Sequence, residues 1–123
     1  MEKVKRLELA YKDITDLTPL KGLVNLGILL LDHNKVTDLT PLASLKKLTQ
    51  LKVDFNKVED LTPLSGMRQL EQAWLHDNQI TDLTPLTGMT ALQRVYLQGN
   101  KNLTKTEIDK LQKALPNCYI EKQ

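Results

Sequence analysis

The chain has 123 residues, with 17 Lys and Arg against 15 Asp and Glu, and a single cysteine. That length fits one domain, and a net charge of +2 argues against general nucleic-acid binding. There is no polybasic run to mark a membrane surface and no apolar stretch near the roughly 20 residues that span a bilayer, and one cysteine allows no internal disulfide, which suits a reducing compartment.

From the N-terminus, Met-Glu-Lys-Val-Lys-Arg is charged and has no apolar h-region. The expected location is cytoplasmic if Met1 is the natural start, and secreted or cell-surface if a signal peptide was removed. Leu7-Glu8-Leu9 alternates with period 2, the mark of a short strand with one buried face. Residues 1–13 form a partial first repeat in which Lys12 stands where later units carry Asn. No amphipathic cap precedes it. Leu7, Leu9, Ile14 and Leu17 are therefore expected to be partly wet, with Lys3, Lys5 and Arg6 guarding the edge strand. The chain is expected to be a monomer, or a weak dimer through this uncapped end.

The pentapeptide Asp-Leu-Thr-Pro-Leu then begins at Asp16, Asp38, Asp60 and Asp82, each 22 residues after the last. It divides 14–101 into four units, 14–35, 36–57, 58–79 and 80–101. A period of this size signals a solenoid in which each unit packs on its neighbours. A second pattern, L-x-x-L-x-x-L-x-L-x-x-N, runs through Leu23, Leu26, Leu29, Leu31 and Asn34, and recurs in the other three units. Its L-x-L is a short strand. Proline favours the first residue of a helical turn, so Thr-Pro-Leu predicts a 3₁₀ segment on the opposite side, with Thr18, Thr40, Thr62 and Thr84 accepting from its free N–H groups. An asparagine amide both donates and accepts, so Asn34, Asn56, Asn78 and Asn100 are expected to stack as an internal ladder.

With these motifs the chain resembles leucine-rich repeat proteins of the 22-residue internalin-like class. The resemblance covers nearly the whole sequence. It implies a right-handed α/β solenoid with parallel strands on the concave face, 3₁₀ turns on the convex face, and a role in binding other proteins. It also singles out what departs from it, because internalins carry an N-terminal cap.

Residues 102–123 read as a C-terminal cap that completes one domain spanning 1–123. Thr104 and Glu107 have the capping-box spacing, Ile108, Leu111 and Leu115 recur at helical spacing, and Pro116 stops the helix. Cys118-Tyr119-Ile120 follows as a last short strand, Cys118 being a small buried hydrophobe rather than a nucleophile, since no base is placed near it.

The residues flanking each L-x-L face outward and form columns up the sheet. The first column is Arg6, Ile28, Gln50, Gln72 and Arg94. The middle column is Glu8, Leu30, Lys52, Trp74 and Tyr96, with Tyr119 from the cap strand. The third is Ala10, Asp32, Asp54, His76 and Gln98, and at the strand exit stand Tyr11, His33, Phe55, Asp77 and Gly99. All five aromatic residues fall in the middle and exit columns. Trp74, Tyr96 and Tyr119 are expected to form one ridge beside Arg94, the chemistry of a protein-binding hot spot. The expected protein-binding set is Ile28, Leu30, Lys52, Asp54, Phe55, Gln72, Trp74, His76, Arg94, Tyr96 and Tyr119. The Asp32, Asp54, His76 column is expected to be solvated and to hold no metal.

The leading function is a non-catalytic module that binds a protein or peptide on the concave face, with no cofactor, nucleic acid or membrane involved. The alternative is a structural or engineered repeat scaffold, or a fragment of a larger repeat protein. An enzyme is disfavoured, because neither histidine has a placed nucleophile and the five glycines make no phosphate loop. Six strands give a face of roughly 400 Å², against about 800 Å² per partner in a stable interface. That area suits a peptide, a loop or a weak partner.

Overall fold

A computed structural model describes residues 4–123; the expectation placed on Lys3 lies outside them. Six three-residue strands, β1 (Arg6–Glu8), β2 (Ile28–Leu30), β3 (Gln50–Lys52), β4 (Gln72–Trp74), β5 (Arg94–Tyr96) and β6 (Tyr119–Glu121), pair in parallel in the order β1 to β6. Residues 22 apart are register partners from β1 to β5, as Leu29 with Leu51 and Leu51 with Ala73. The 3₁₀ segments Thr18–Leu20, Thr40–Ser44, Thr62–Leu64 and Thr84–Leu86 line the opposite side, and α1 (Lys105–Ala114) closes the C-terminal end. No helix among the described residues is long and apolar enough to cross a membrane.

The two sides meet on an aliphatic core. Leu26, Leu29, Leu31, Leu45, Leu48, Leu51, Met67 and Leu70 are fully buried, as are Leu42, Leu64 and Leu86 from the 3₁₀ segments. Each such side chain contributes about 1.5–3 kcal/mol by leaving water. Among the described residues no Phe, Trp or Tyr ring lies in this core, so these aromatic residues are left for the surface.

The asparagine ladder forms as its amide chemistry predicts. Asn56 Nδ2 donates to Leu31 O and Val53 O, both at 3.0 Å, and its Oδ1 accepts from Val36 N at 2.9 Å. One side chain thus satisfies backbone groups of its own unit and the one before it. Asn34, Asn78 and Asn100 repeat the arrangement.

Three local expectations are corrected. The 3₁₀ turns are capped by aspartate and not by threonine: Asp16, Asp38, Asp60 and Asp82 each accept the N–H of the residue two ahead, Thr18, Thr40, Thr62 and Thr84, at 2.8–2.9 Å. The aspartate side chain closes an Asx turn, which leaves the threonine hydroxyl without that role. The capping box is half formed. Thr104 Oγ1 accepts from Glu107 N at 3.2 Å, but Glu107 turns its carboxylate to Leu83 N, at 2.9 Å, and ties α1 to the fourth unit. At the N-terminal end Leu7, Leu9 and Ile14 are half-buried as expected, whereas Leu17 is only 2% exposed because the first 3₁₀ turn folds over it.

Candidate functional site

The concave face is built by residues that alternate with the buried L-x-L positions. Ile28, Leu30, Lys52, Gln72, Trp74 and Tyr96 are half-buried there, and Arg94 is exposed. Trp74 and Tyr96 are register partners on β4 and β5. Their rings lie 9° from parallel with centroids 5.4 Å apart. Strand pairing fixes that separation, and two flat rings on adjacent strands fill it by stacking.

Tyr119 does not extend this pair. Its register partner is Arg94, and Glu121 takes the place opposite Tyr96. The α1 segment interrupts the 22-residue period, so the spacing no longer fixes the column of the cap strand. Ile120, opposite Val95, is the inward residue that sets the register, while Cys118 is buried ahead of the strand. Tyr119 therefore lies in the first column, with the Arg94 guanidinium 5.9 Å from its ring centre. Its hydroxyl donates to Glu121 Oε1 at 2.6 Å, and that bond, with the carboxylate charge, pushes the phenol above its ordinary pKa. Burial pushes the Cys118 thiol up as well, away from the reactive thiolate.

The third column is not solvated as expected. Asp54 is 1% exposed. Lys52 Nζ lies 2.8 and 3.0 Å from its two oxygens and 3.9 Å from Asp32, and His76 Nε2 lies 3.3 Å from Asp54 Oδ2. Burial of Asp54 is tolerable only because these partners meet it. Asp32, His33 and Asp54 bring one donor atom each to within 4.8 Å of one another. Lys52 already supplies the cation that the two carboxylates hold.

The strand-exit column carries a feature that residue type alone did not reveal. Tyr11, His33, Phe55, Asp77 and Gly99 all have left-handed backbones, with φ of 60°, 58°, 56°, 57° and 79°. Such a conformation costs an L-residue about 1–2 kcal/mol, and bulky side chains are uncommon in it. Gly, Asp and His fit that demand; Tyr and Phe do not. The three rings stack, Tyr11 on His33 at 4.2 Å and His33 on Phe55 at 4.4 Å. Each ring pair returns about 0.5–1.5 kcal/mol, so stacking offsets part of the strain. Phe55 meets His76 edge-on at 5.7 Å, and His76 meets Tyr96 at 6.4 Å. Phe55 and His76 thus join the exit stack to the Trp74–Tyr96 pair. Tyr11 and His33 were absent from the expected binding set; the shared column with Asp77 and Gly99 was the available sign of a special backbone.

A family profile for leucine-rich repeats, in two copies, matches residues 28–66 and 68–117. Among solved structures, the internalin InlF of Listeria monocytogenes superposes with a TM-score of 0.90 at 28% identity, over 97% of this chain and 34% of that one. Internalin C2 of the same organism gives 0.83 at 39% identity, over 89% of this chain and 49% of that one. The functional domain of InlJ from Listeria monocytogenes, described as including a cysteine ladder, shares the fold with a TM-score of 0.82 at 18% identity, over 99% of this chain and 30% of that one. The chain therefore spans half or less of the length of these structures. No curated protein matches its sequence.

Proposed function

The chain belongs to the leucine-rich repeat family, and from that premise we propose that it is a non-catalytic module that binds a protein or peptide on its concave face. Internalin-type repeats are in general protein-interaction modules, and the coarse reading follows from that membership. One observation carries the finer reading. The units are nearly identical in core, ladder and turn, yet the concave middle column changes from Leu30 to Lys52 to Trp74 to Tyr96. The last two stack as a half-buried pair, and large aromatic groups that are partly exposed are the usual anchors of protein interfaces.

Around this pair, Ile28 and Leu30 supply an apolar flank, Gln72 and Arg94 the adjoining column, and Phe55 and His76 the link to the exit stack. Lys52 and Asp54 hold that link in place. Tyr119 extends the face through Arg94 and not through Tyr96. The domain acts as one unit over 1–123, needs no cofactor or nucleic acid, and works as a monomer or a weak dimer. Secretion or surface display is the favoured location, given the likeness to internalins. The test is capture of a partner by the wild-type domain and by a Trp74→Ala, Tyr96→Ala variant. Equal capture by a folded variant removes the pair from the site.

A further inference from the structure

Where Trp74 and Tyr96 meet the third column, the chain leaves two buried acceptors unused. His76 Nε2 faces Asp54 Oδ2 at 3.3 Å, a contact that calls for an N–H on that nitrogen; in the neutral form of the ring Nδ1 then carries a bare lone pair on the other side. His76 Nδ1 is buried and has no hydrogen-bond partner among the described residues, and the same holds for Gln98 Oε1 in the next position of that column. Two acceptors without donors, each two residues past the end of adjacent strands, are a cost that a native fold rarely leaves standing. What they lack is a group that donates twice.

Charge points the same way. With the Arg6–Glu8 pair set aside, the concave and exit columns carry the carboxylates Asp32, Asp54, Asp77 and Glu121 against the cations Lys52 and Arg94. The chain as a whole is positive, at +2. This face thus carries two more carboxylates than cations, one of them the buried Asp54, on a chain of positive net charge, a balance that favours a positively charged visitor. Asp77 strengthens the case at the exit, because its carboxylate lies directly over the bare Cα of Gly99, where any side chain would collide with it. The ring faces beside the two acceptors add an attraction for a planar cation.

We propose that this corner, bounded by Trp74, His76, Tyr96 and Gln98, receives an arginine side chain of a protein partner. The proposal rests on the concave-face reading and names the chemistry that the face selects. A guanidinium lies flat on an aromatic ring and presents a fork of donors, enough to serve His76 Nδ1 and Gln98 Oε1 together. A lysine ammonium is a point charge without that fork. Gln98 is only partly buried, so its amide can turn to meet the incoming group.

Trp74 is the only tryptophan, so its fluorescence reports on this corner alone. The domain is titrated with four capped peptides alike except for a central arginine, citrulline, lysine or glutamate. The expected result is a saturable Trp74 response in which arginine binds about tenfold or more tightly than citrulline, since a hydrogen bond to a charged group is worth about 1.5–3 kcal/mol. Gln98→Met, similar in size but without the acceptor, should weaken arginine binding by about tenfold and leave lysine binding little changed. Equal arginine and citrulline affinities, an indifferent Gln98→Met variant, or no Trp74 response to arginine overturns the proposal. A Trp74 response to all four peptides alike also overturns it, while leaving the concave face in place as a binding surface. The concave-face reading fails on a different result, partner capture that survives loss of Trp74 and Tyr96.

Discussion

Lys52 Nζ, at the end of β3, lies 2.8 Å from Asp54 Oδ1, two residues further along the chain, and this contact joins the middle column to the third. Asp54 is buried, while Lys52 remains about one-third exposed. Removing the lysine leaves a buried carboxylate with His76 as its remaining ionisable partner. Lys52→Met should therefore lower stability by about 1–2 kcal/mol, less than for a fully buried pair because of the lysine's exposure. Lys52→Met with Asp54→Leu should recover much of the loss. Urea midpoints of the two variants and the wild type check this; equal losses in both would contradict it.

Asn56→Ala removes the acceptor of Val36 N and one of two donors at each of Leu31 O and Val53 O, which keep Asn34 Nδ2 and Asn78 Nδ2. A buried group left unsatisfied costs about 1–3 kcal/mol, so the orphaned Val36 amide should lower stability by about that amount. Native-state hydrogen exchange should show the Val36 amide opening first. A loss below about 1 kcal/mol would show that water replaces the ladder at little cost.

The four convex aspartates predict an acid sensitivity. Hydrogen bonds from Thr18, Thr40, Thr62 and Thr84 hold Asp16, Asp38, Asp60 and Asp82 below the ordinary carboxylate pKa. A carboxylate whose folded pKa is depressed adds stability that is complete above its unfolded pKa and is lost as pH falls through the folded one. Thermal melts taken from neutral pH into the acid range should show Tm falling through and below the ordinary carboxylate range. Asp→Asn at all four sites keeps an oxygen acceptor for the turn, and its melts should be flatter over that window. An equally steep acid loss in that variant would place the titration elsewhere.

The exit stack separates folding from surface chemistry. Phe55→Asn suits the left-handed backbone better, but it breaks the ring contacts with His33 and His76. These effects oppose each other, so stability should change by less than about 1 kcal/mol. Gly99→Ala has no such compensation, because φ is 79° and the added methyl meets Asp77. It should cost about 1–2 kcal/mol. Chemical denaturation of the pair gives the comparison directly.

What the sequence made legible follows from its period. From β1 to β5 a fixed spacing of 22 turns residue number into position, so the core, the ladder and the column of Trp74 and Tyr96 could be written down in advance. Tyr119 could not, because α1 breaks the period and the cap strand takes its register from Ile120. The choice of Asp16 over Thr18 as the turn cap depended on side-chain reach, which a motif shared by both residues does not encode. Burial of Asp54 was hidden for a similar reason: its column identity placed it outward, and only the reach of Lys52 and His76 encloses it. The left-handed exit column was half visible, in Asp77 and Gly99, and masked by the three aromatic residues that share it.

The central claim is that the stacked pair on β4 and β5 anchors a protein partner. It is tested most directly by measuring partner affinity for the wild-type domain and for the Trp74→Ala, Tyr96→Ala variant, with far-ultraviolet circular dichroism confirming that both are folded. Anchor residues cost about 2 kcal/mol or more when truncated, so affinity should fall at least about thirtyfold. Unchanged affinity in a folded variant would contradict the account.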